Sequence, residues 1–173
     1  MKMNISITLN GATRSVAIEP SDILLDVLRE KLGVKSPKIG CERGDCGVCT
    51  VILNGRTVRS CLVLAAEADG GEIVTIEGLG AKGPTPLQQS FIKNNSFQCG
   101  FCAPGMVLSA TELLEKNPNP DEDEIKEAIS GNLCRCTGYE PIVKAIREVA
   151  DSSPLSRRER AGVRAKSGKG RRR

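Results

Sequence analysis

The first third of the chain alternates apolar and polar residues and then changes to a helical spacing. Residues 5–9 and 16–18 alternate in the way expected of strands. Asn10-Gly11 between them is a dipeptide typical of hairpin turns. From Ile23 to Leu32 the apolar residues recur every three or four positions, and Gly33 stands where such a helix would end. The pattern therefore predicts a hairpin followed by one helix.

A second hairpin and one more strand are predicted further along. Val51–Leu53 lead into an Asn54-Gly55 turn, and we expect the strand after this turn to carry Cys61. Ile73, Val74 and Ile76 predict a last strand. Two hairpins with a helix packed across a mixed sheet make the layout of a β-grasp ferredoxin.

Helical patterns dominate the second half of the chain. Residues 78–83 contain three glycines, which indicate a hinge or linker. Helices are then predicted from Pro86, over residues 104–116, after the start signal at 119–124, and from Pro141. The fold class is thus predicted to be α+β, with a β-grasp domain over residues 1–79 and a four-helix domain over residues 84–150.

Charge separates the last residues from the rest. The chain has 173 residues and a formal net charge of +4. Residues 151–173 contain nine basic and two acidic side chains, a net charge of +7, which leaves −3 on residues 1–150. This basic tail lacks apolar periodicity and predicts a disordered, solvated extension. Because no aromatic residues are interleaved with the basic ones, a nucleic-acid partner is not expected.

We also expect no membrane span and, without a secretory signal, a cytoplasmic location.

Eight cysteines fall into two groups of four. The first group, Cys41, Cys46, Cys49 and Cys61, has the C-x4-C-x2-C spacing with a later fourth cysteine that is typical of plant-type [2Fe–2S] proteins. The second group joins a CxxC loop, Cys99 and Cys102, to a CxC pair, Cys134 and Cys136. Two sets of four thiolates predict two iron–sulfur clusters.

Other uses of eight cysteines remain open at this point. Four thiolates also make a closed zinc site, although CxC is an awkward zinc knuckle. Disulfides need an oxidising compartment, which nothing in the sequence indicates. Unligated buried cysteines would not produce two ordered quartets. The absence of histidine excludes a Rieske centre, which needs two imidazole ligands.

The sequence around the cysteines resembles one family closely. The matching segments are Gly40-Cys41-Glu42-Arg43-Gly44-Asp45-Cys46-Gly47-Val48-Cys49, Ser60-Cys61-Leu62, Gln98-Cys99-Gly100-Phe101-Cys102-Ala103-Pro104-Gly105-Met106 and Gly131-Asn132-Leu133-Cys134-Arg135-Cys136-Thr137-Gly138-Tyr139. Their order and spacing are similar to those of the small iron–sulfur subunit of the molybdenum hydroxylases, the xanthine dehydrogenase and carbon monoxide dehydrogenase family. Arg43, Thr85 and Ala103 depart from the residues common in that family, and none of these departures removes a ligand.

The resemblance implies a role in electron transfer. A large partner subunit would bind molybdopterin and oxidise a small substrate such as CO, an aldehyde, a purine or an N-heterocycle. Electrons would pass first to the cluster of the helical domain and then to the plant-type cluster. From there they would pass to FAD on a medium subunit or to another acceptor. By resemblance, Gln98 and Cys136 approach the pterin, and the assembly is expected to be a dimer of heterotrimers. A free-standing dicluster ferredoxin or redox sensor is the alternative, and a zinc-binding module with a basic tail is a second one.

Overall fold

Five strands form one mixed sheet in the computed structural model, which describes residues 2–152. The strands are β1 (Met3–Leu9), β2 (Ala12–Ile18), β3 (Thr50–Leu53), β4 (Arg56–Arg59) and β5 (Glu72–Val74). Their order across the sheet is β2-β1-β5-β3-β4, with β1 parallel to β5 and the other neighbours antiparallel. Both predicted hairpins are confirmed. Residues 153–173 of the basic tail lie outside the residues that the structure describes.

A single helical segment packs across this sheet. It begins as α1 (Leu24–Asp26) and continues as a π-helix over Val27–Lys31. Leu24 and Leu28 are fully buried and pack with the inward side chains of β1. The helix was predicted, but its wider turn was not: the N–H of Leu32 donates to the carbonyl of Val27, five residues back, at 3.0 Å.

Two local predictions in the first half are wrong. Cys61 was expected on a strand, but β4 ends at Arg59 and Cys61 lies in a 3₁₀ turn over Ser60–Leu62. Ile76 was expected to extend the last strand, but β5 ends at Val74 and Ile76 begins a short helix, α2 (Ile76–Leu79). That helix occupies the start of the segment predicted as a glycine hinge.

The second half is built from four longer helices. These are α3 (Pro86–Lys93), α4 (Ala103–Lys116), α5 (Glu122–Ile129) and α6 (Glu140–Ser152). Their inward faces form a second hydrophobic core around Phe91, Met106, Ile125 and Ile146. Because this core shares no residue with the core of the sheet, each half buries its own apolar surface.

Capping residues fix where two of these helices begin. Thr85 Oγ1 accepts a hydrogen bond from the Gln88 N–H at 3.2 Å, with Pro86 in the first turn as predicted. Asp121, within the start signal predicted at 119–124, caps α5 and accepts from the Glu124 N–H at 2.9 Å. None of the helices described between residues 2 and 152 has both the length and the apolar content of a membrane span.

Candidate metal centres

The first four cysteines come together at one end of the sheet. Cys41, Cys46 and Cys49 lie on the loop that runs from the π-helix to β3, and Cys61 lies on the 3₁₀ turn after β4. Cys49 and Cys61 are buried and pack together with Leu25. The antiparallel pairing of β3 with β4 explains this contact, because Cys49 directly precedes β3 and Cys61 closely follows β4.

Within this quartet, the Cys41 thiol faces main-chain N–H donors. The Cys46 N–H donates to Cys41 Sγ at 3.4 Å. Hydrogen bonds from the main chain of Arg43 and Cys46 lower the pKa of Cys41 to about 6, which favours the thiolate that binds iron. In contrast, burial raises the pKa of Cys61 to about 11, and the neighbouring Cys49 thiol adds to this effect.

The second four cysteines lie at the end of the helical half. Cys102 is the N-cap residue of α4, and Cys134 and Cys136 lie on the loop between α5 and α6. Cys99 Sγ and Cys136 Sγ are 3.6 Å apart and exposed, whereas Cys102 is buried and Cys134 partly so. The quartet therefore consists of an outer pair, Cys99 and Cys136, and an inner pair, Cys102 and Cys134.

The inner and outer pairs differ in electrostatics. Burial, together with the adjacent Cys134 thiol, raises the pKa of Cys102 to about 12. Burial also acts on Cys134, but hydrogen bonds from the Thr137 hydroxyl and from the main chain outweigh it and lower the pKa of Cys134. In the outer pair, the main-chain N–H of Phe101 lowers the pKa of Cys99, while the hydrogen bond with Cys99 raises the pKa of Cys136.

The paired arrangement of thiols fits a two-iron cluster in each quartet. A single zinc ion with Zn–S bonds of about 2.3 Å would require all four sulfurs around one point. Two pairs of thiols, one for each iron, would provide the four ligands that a [2Fe–2S] cluster takes.

Glycines allow the ligand loops to approach other main chain closely. Gly47 has a φ of 71°, and a Cβ built there would lie 2.3 Å from the carbonyl oxygen of Gly131. A Cβ on Gly40 would lie 2.8 Å from Cys46 Sγ. No larger residue fits at either position without a shift of the ligand loop.

A buried polar network joins the two ligand loops, and its central residues were not identified as functional from the sequence. Asn132, 1% exposed, donates from Nδ2 to the Gly47 carbonyl at 3.0 Å and accepts on Oδ1 from the Ser109 hydroxyl at 2.8 Å. Arg59 donates to the Thr50 hydroxyl at 2.7 Å and to the Gly131 carbonyl at 2.6 Å. The hydrogen-bond partners of Asn132 are distant in the sequence, so the sequence identified Asn132 only as a residue close to Cys134.

Gln98 lies at the exposed corner of the second quartet. Its side-chain amide donates to the carbonyl of Cys136 at 3.1 Å. The two residues predicted to approach a pterin are therefore side by side on the surface, next to the outer cysteine pair. A partner molecule could reach this corner without passing through the protein.

The fold and the two quartets define a protein with two [2Fe–2S]-binding units, one of plant-ferredoxin type and one helical. Residues 7–75 match the family model of the 2Fe-2S iron-sulfur cluster binding domain. Residues 75–147 match that of the [2Fe-2S] binding domain.

Known proteins identify the family more narrowly. The chain is 52% identical over 147 residues to the nicotinate dehydrogenase small FeS subunit of Eubacterium barkeri, covering 84% of this chain and 94% of the relative. A chain of quinoline 2-oxidoreductase from Pseudomonas putida 86 superposes with a TM-score of 0.82 at 47% identity, covering 93% of this chain and 98% of that one. Aldehyde oxidoreductase from Desulfovibrio desulfuricans superposes with a TM-score of 0.83 at 39% identity, covering 86% of this chain and 17% of that longer one.

The chain therefore belongs to the family of iron–sulfur subunits of the molybdenum hydroxylases. Its relatives are components of dehydrogenase and oxidoreductase complexes, so it is an enzyme component with an electron-transfer role. These relatives do not favour a free-standing ferredoxin.

Proposed function

We propose that this chain carries electrons from a molybdopterin centre on a large partner subunit to FAD on a medium partner subunit. Cys99, Cys102, Cys134 and Cys136 would hold the [2Fe–2S] cluster nearer the molybdopterin. Cys41, Cys46, Cys49 and Cys61 would hold the cluster that faces the flavin or another acceptor. Each cluster, when bound, takes up and releases one electron.

The observation that carries this direction is the exposed corner formed by Gln98, Cys99 and Cys136. The Gln98 amide is held against the Cys136 carbonyl, and the Cys99 and Cys136 thiols face each other at 3.6 Å. A cofactor in a partner subunit would meet the second quartet here. The loop of the first quartet contacts the CxC loop of the second on the side away from this corner. There the Leu133 N–H donates to the Cys46 carbonyl at 2.9 Å. This order supports entry at the helical half and exit at the plant-type half.

The remaining features of the assembly follow from the same proposal. The complex would be a dimer of heterotrimers in the cytoplasm, where thiol groups stay reduced and available as ligands. The large subunit would select the substrate, whether CO, an aldehyde, a purine or an N-heterocycle. This chain would contribute no substrate-binding residue.

The domain division at residues 1–79 and 84–150 is part of the proposal. Two separate hydrophobic cores support it. The short helix α2 lies at the boundary, and its Ile76 and Leu79 pack on the second core.

Rapid-freeze EPR on the assembled complex tests the direction of transfer. In a Cys46→Ser complex mixed with substrate, the helical-half cluster should become reduced while turnover with the external acceptor stops. Gln98→Ala should slow reduction of both clusters. Gln89→Ala is the matched control, since Gln89 is an exposed glutamine whose amide donates to the Pro84 carbonyl at 2.9 Å. If the helical-half cluster stays oxidised while molybdenum is reduced, the order is reversed.

A further inference from the structure

A lysine from the first half of the chain lies over the ligand loop of the second half. Lys38 Nζ is 5.3 Å from the ring centroid of Phe101, the residue between Gly100 and Cys102. The main chain of Lys38 belongs to the other ligand loop, since its N–H donates to the Val48 carbonyl at 3.0 Å. Lys38 thus contacts both ligand loops: its main chain is bonded to the first loop, and its ammonium lies over Phe101 in the second.

The Lys38 side chain is held in this position by a chain of contacts. Its ammonium donates to the Ser36 carbonyl at 3.1 Å. Ser36 is itself fixed to α2, because its N–H donates to Glu77 Oε1 at 3.0 Å. Thr75 supports Glu77 by donating to Oε2 at 2.6 Å. Lys38 is partly buried, unlike most lysines of the chain.

The electrostatic surroundings of Lys38 point to the second quartet. Partial burial lowers the pKa of Lys38, while the Glu77 carboxylate opposes that effect and Arg29 adds to it. Cys102 and Cys99 are the cysteines whose charge acts on the pKa of Lys38. An ammonium fixed beside an aromatic ring and partly shielded from water interacts more strongly with nearby charge than one in bulk solvent.

We propose that Lys38 raises the reduction potential of the cluster held by Cys99, Cys102, Cys134 and Cys136. The inference rests on the ligand assignment in the proposed function. One-electron reduction adds one negative charge to that cluster, with the electron supplied by molybdenum during turnover or by dithionite in a titration. No bond at Lys38 forms or breaks. The fixed ammonium stabilises the added charge, so the helical-half cluster accepts electrons more readily than it would without Lys38.

An EPR-monitored redox titration of the purified complex tests this inference. Lys38→Met should lower the equilibrium constant for one-electron reduction of the helical-half cluster about tenfold, which is about 59 mV for one electron. Lys38→Arg should leave the potential near its starting value, because the charge is kept. Lys35→Met is the matched control, because Lys35 is an exposed lysine of the same loop that donates to the Arg29 carbonyl at 2.8 Å.

The outcomes separate the inference from the proposal beneath it. If the wild-type complex shows two EPR signals but Lys38→Met shifts neither, or shifts both equally, the role of Lys38 is wrong and the ligand assignment stands. If the wild-type protein shows a single signal, the ligand assignment itself fails. Should Lys38→Met not assemble, Lys38→Gln removes the charge and keeps a donor for the Ser36 carbonyl, and it should show the same selective shift.

Discussion

The main-chain N–H of Leu133 donates to the main-chain carbonyl of Cys46 at 2.9 Å. Cys46 belongs to the first quartet, and Leu133 directly precedes Cys134 of the second. This main-chain hydrogen bond therefore joins the two ligand loops at a ligand of the first quartet and next to a ligand of the second. It also gives a short route, made of covalent bonds and one hydrogen bond, from the Cys134 thiol to the Cys46 thiol.

Leu133→Pro should weaken communication between the two clusters, because proline removes the N–H that Cys46 accepts. We expect the magnetic interaction between the two reduced clusters to change in EPR spectra, with slower transfer from the helical to the plant-type cluster. Leu133→Ala is the control: it keeps the N–H and truncates a side chain that is 53% exposed. Equal behaviour of the two variants would show that this hydrogen bond has no role in the coupling.

Asn132→Ala should destabilise both ligand loops at once. The substitution removes the amide that donates to the Gly47 carbonyl, which keeps the Thr50 hydroxyl as a donor, and it takes from the buried Ser109 hydroxyl its acceptor, at a cost of about 1–3 kcal/mol. Iron analysis and the thermal midpoint of the purified protein would measure the effect, with Asn4→Ala on the exposed part of β1 as the control. Unchanged iron content in Asn132→Ala would contradict the proposed coupling of the loops.

The hairpins could be predicted from the sequence because their signals are local. Asn10-Gly11 and Asn54-Gly55 both adopt positive φ angles, as the turn that joins two twisted strands requires. The helices of the second half were predicted for the same reason, since their apolar spacing lies within each segment. Cysteine spacing likewise grouped the eight cysteines into two sets of four, but it did not predict the 3₁₀ turn that carries Cys61.

What could not be predicted depends on contacts between distant residues. The 3₁₀ turn at Cys61 brings that thiol onto Cys49, and only the pairing of β3 with β4 places them together. The role of Asn132 depends on Gly47, 85 positions away in the chain. The sequence does not distinguish Lys38 from an ordinary surface lysine, because its contact with Phe101 joins residues that are distant in the chain. Tertiary packing decides each of these features.

Gly105→Ala should separate α4 from the first ligand loop. A Cβ at this position would lie 2.5 Å from the Gly47 carbonyl oxygen and 2.7 Å from Asn132 Nδ2. Overpacking of this kind costs about 1–3 kcal/mol. Gly80→Ala is a suitable comparison, because the nearest atom to its Cβ would be 3.5 Å away. Thermal denaturation should show a lower midpoint for Gly105→Ala alone, and a matching loss in both variants would rule out the close approach as the cause.

Alkylation of the iron-free protein should distinguish the cysteines by pH. Main-chain hydrogen bonds lower the pKa of Cys41 to about 6, so Cys41 is mostly thiolate at neutral pH. Burial raises the pKa of Cys102 to about 12, so Cys102 stays protonated and slow to react. Peptide mapping after iodoacetamide treatment should show the Cys41 rate falling as the pH drops through 6, while Cys102 gains reactivity only in strong alkali. Similar rates at both positions would mean that the loops lose this geometry without iron.

Cys46→Ser should remove the plant-type cluster and spare the helical one. The substitution takes away a thiolate ligand but keeps the main-chain carbonyl that accepts from the Leu133 N–H. The second quartet therefore keeps its contact with the first loop, and its own hydrophobic core is unaffected. Iron content should fall from about four to about two per chain, by the count of four cysteines for each two-iron cluster. EPR of the reduced variant should show one of two signals lost. Loss of both signals would mean that the two ligand loops order only as a single unit, with the plant-type cluster required for the helical one to form.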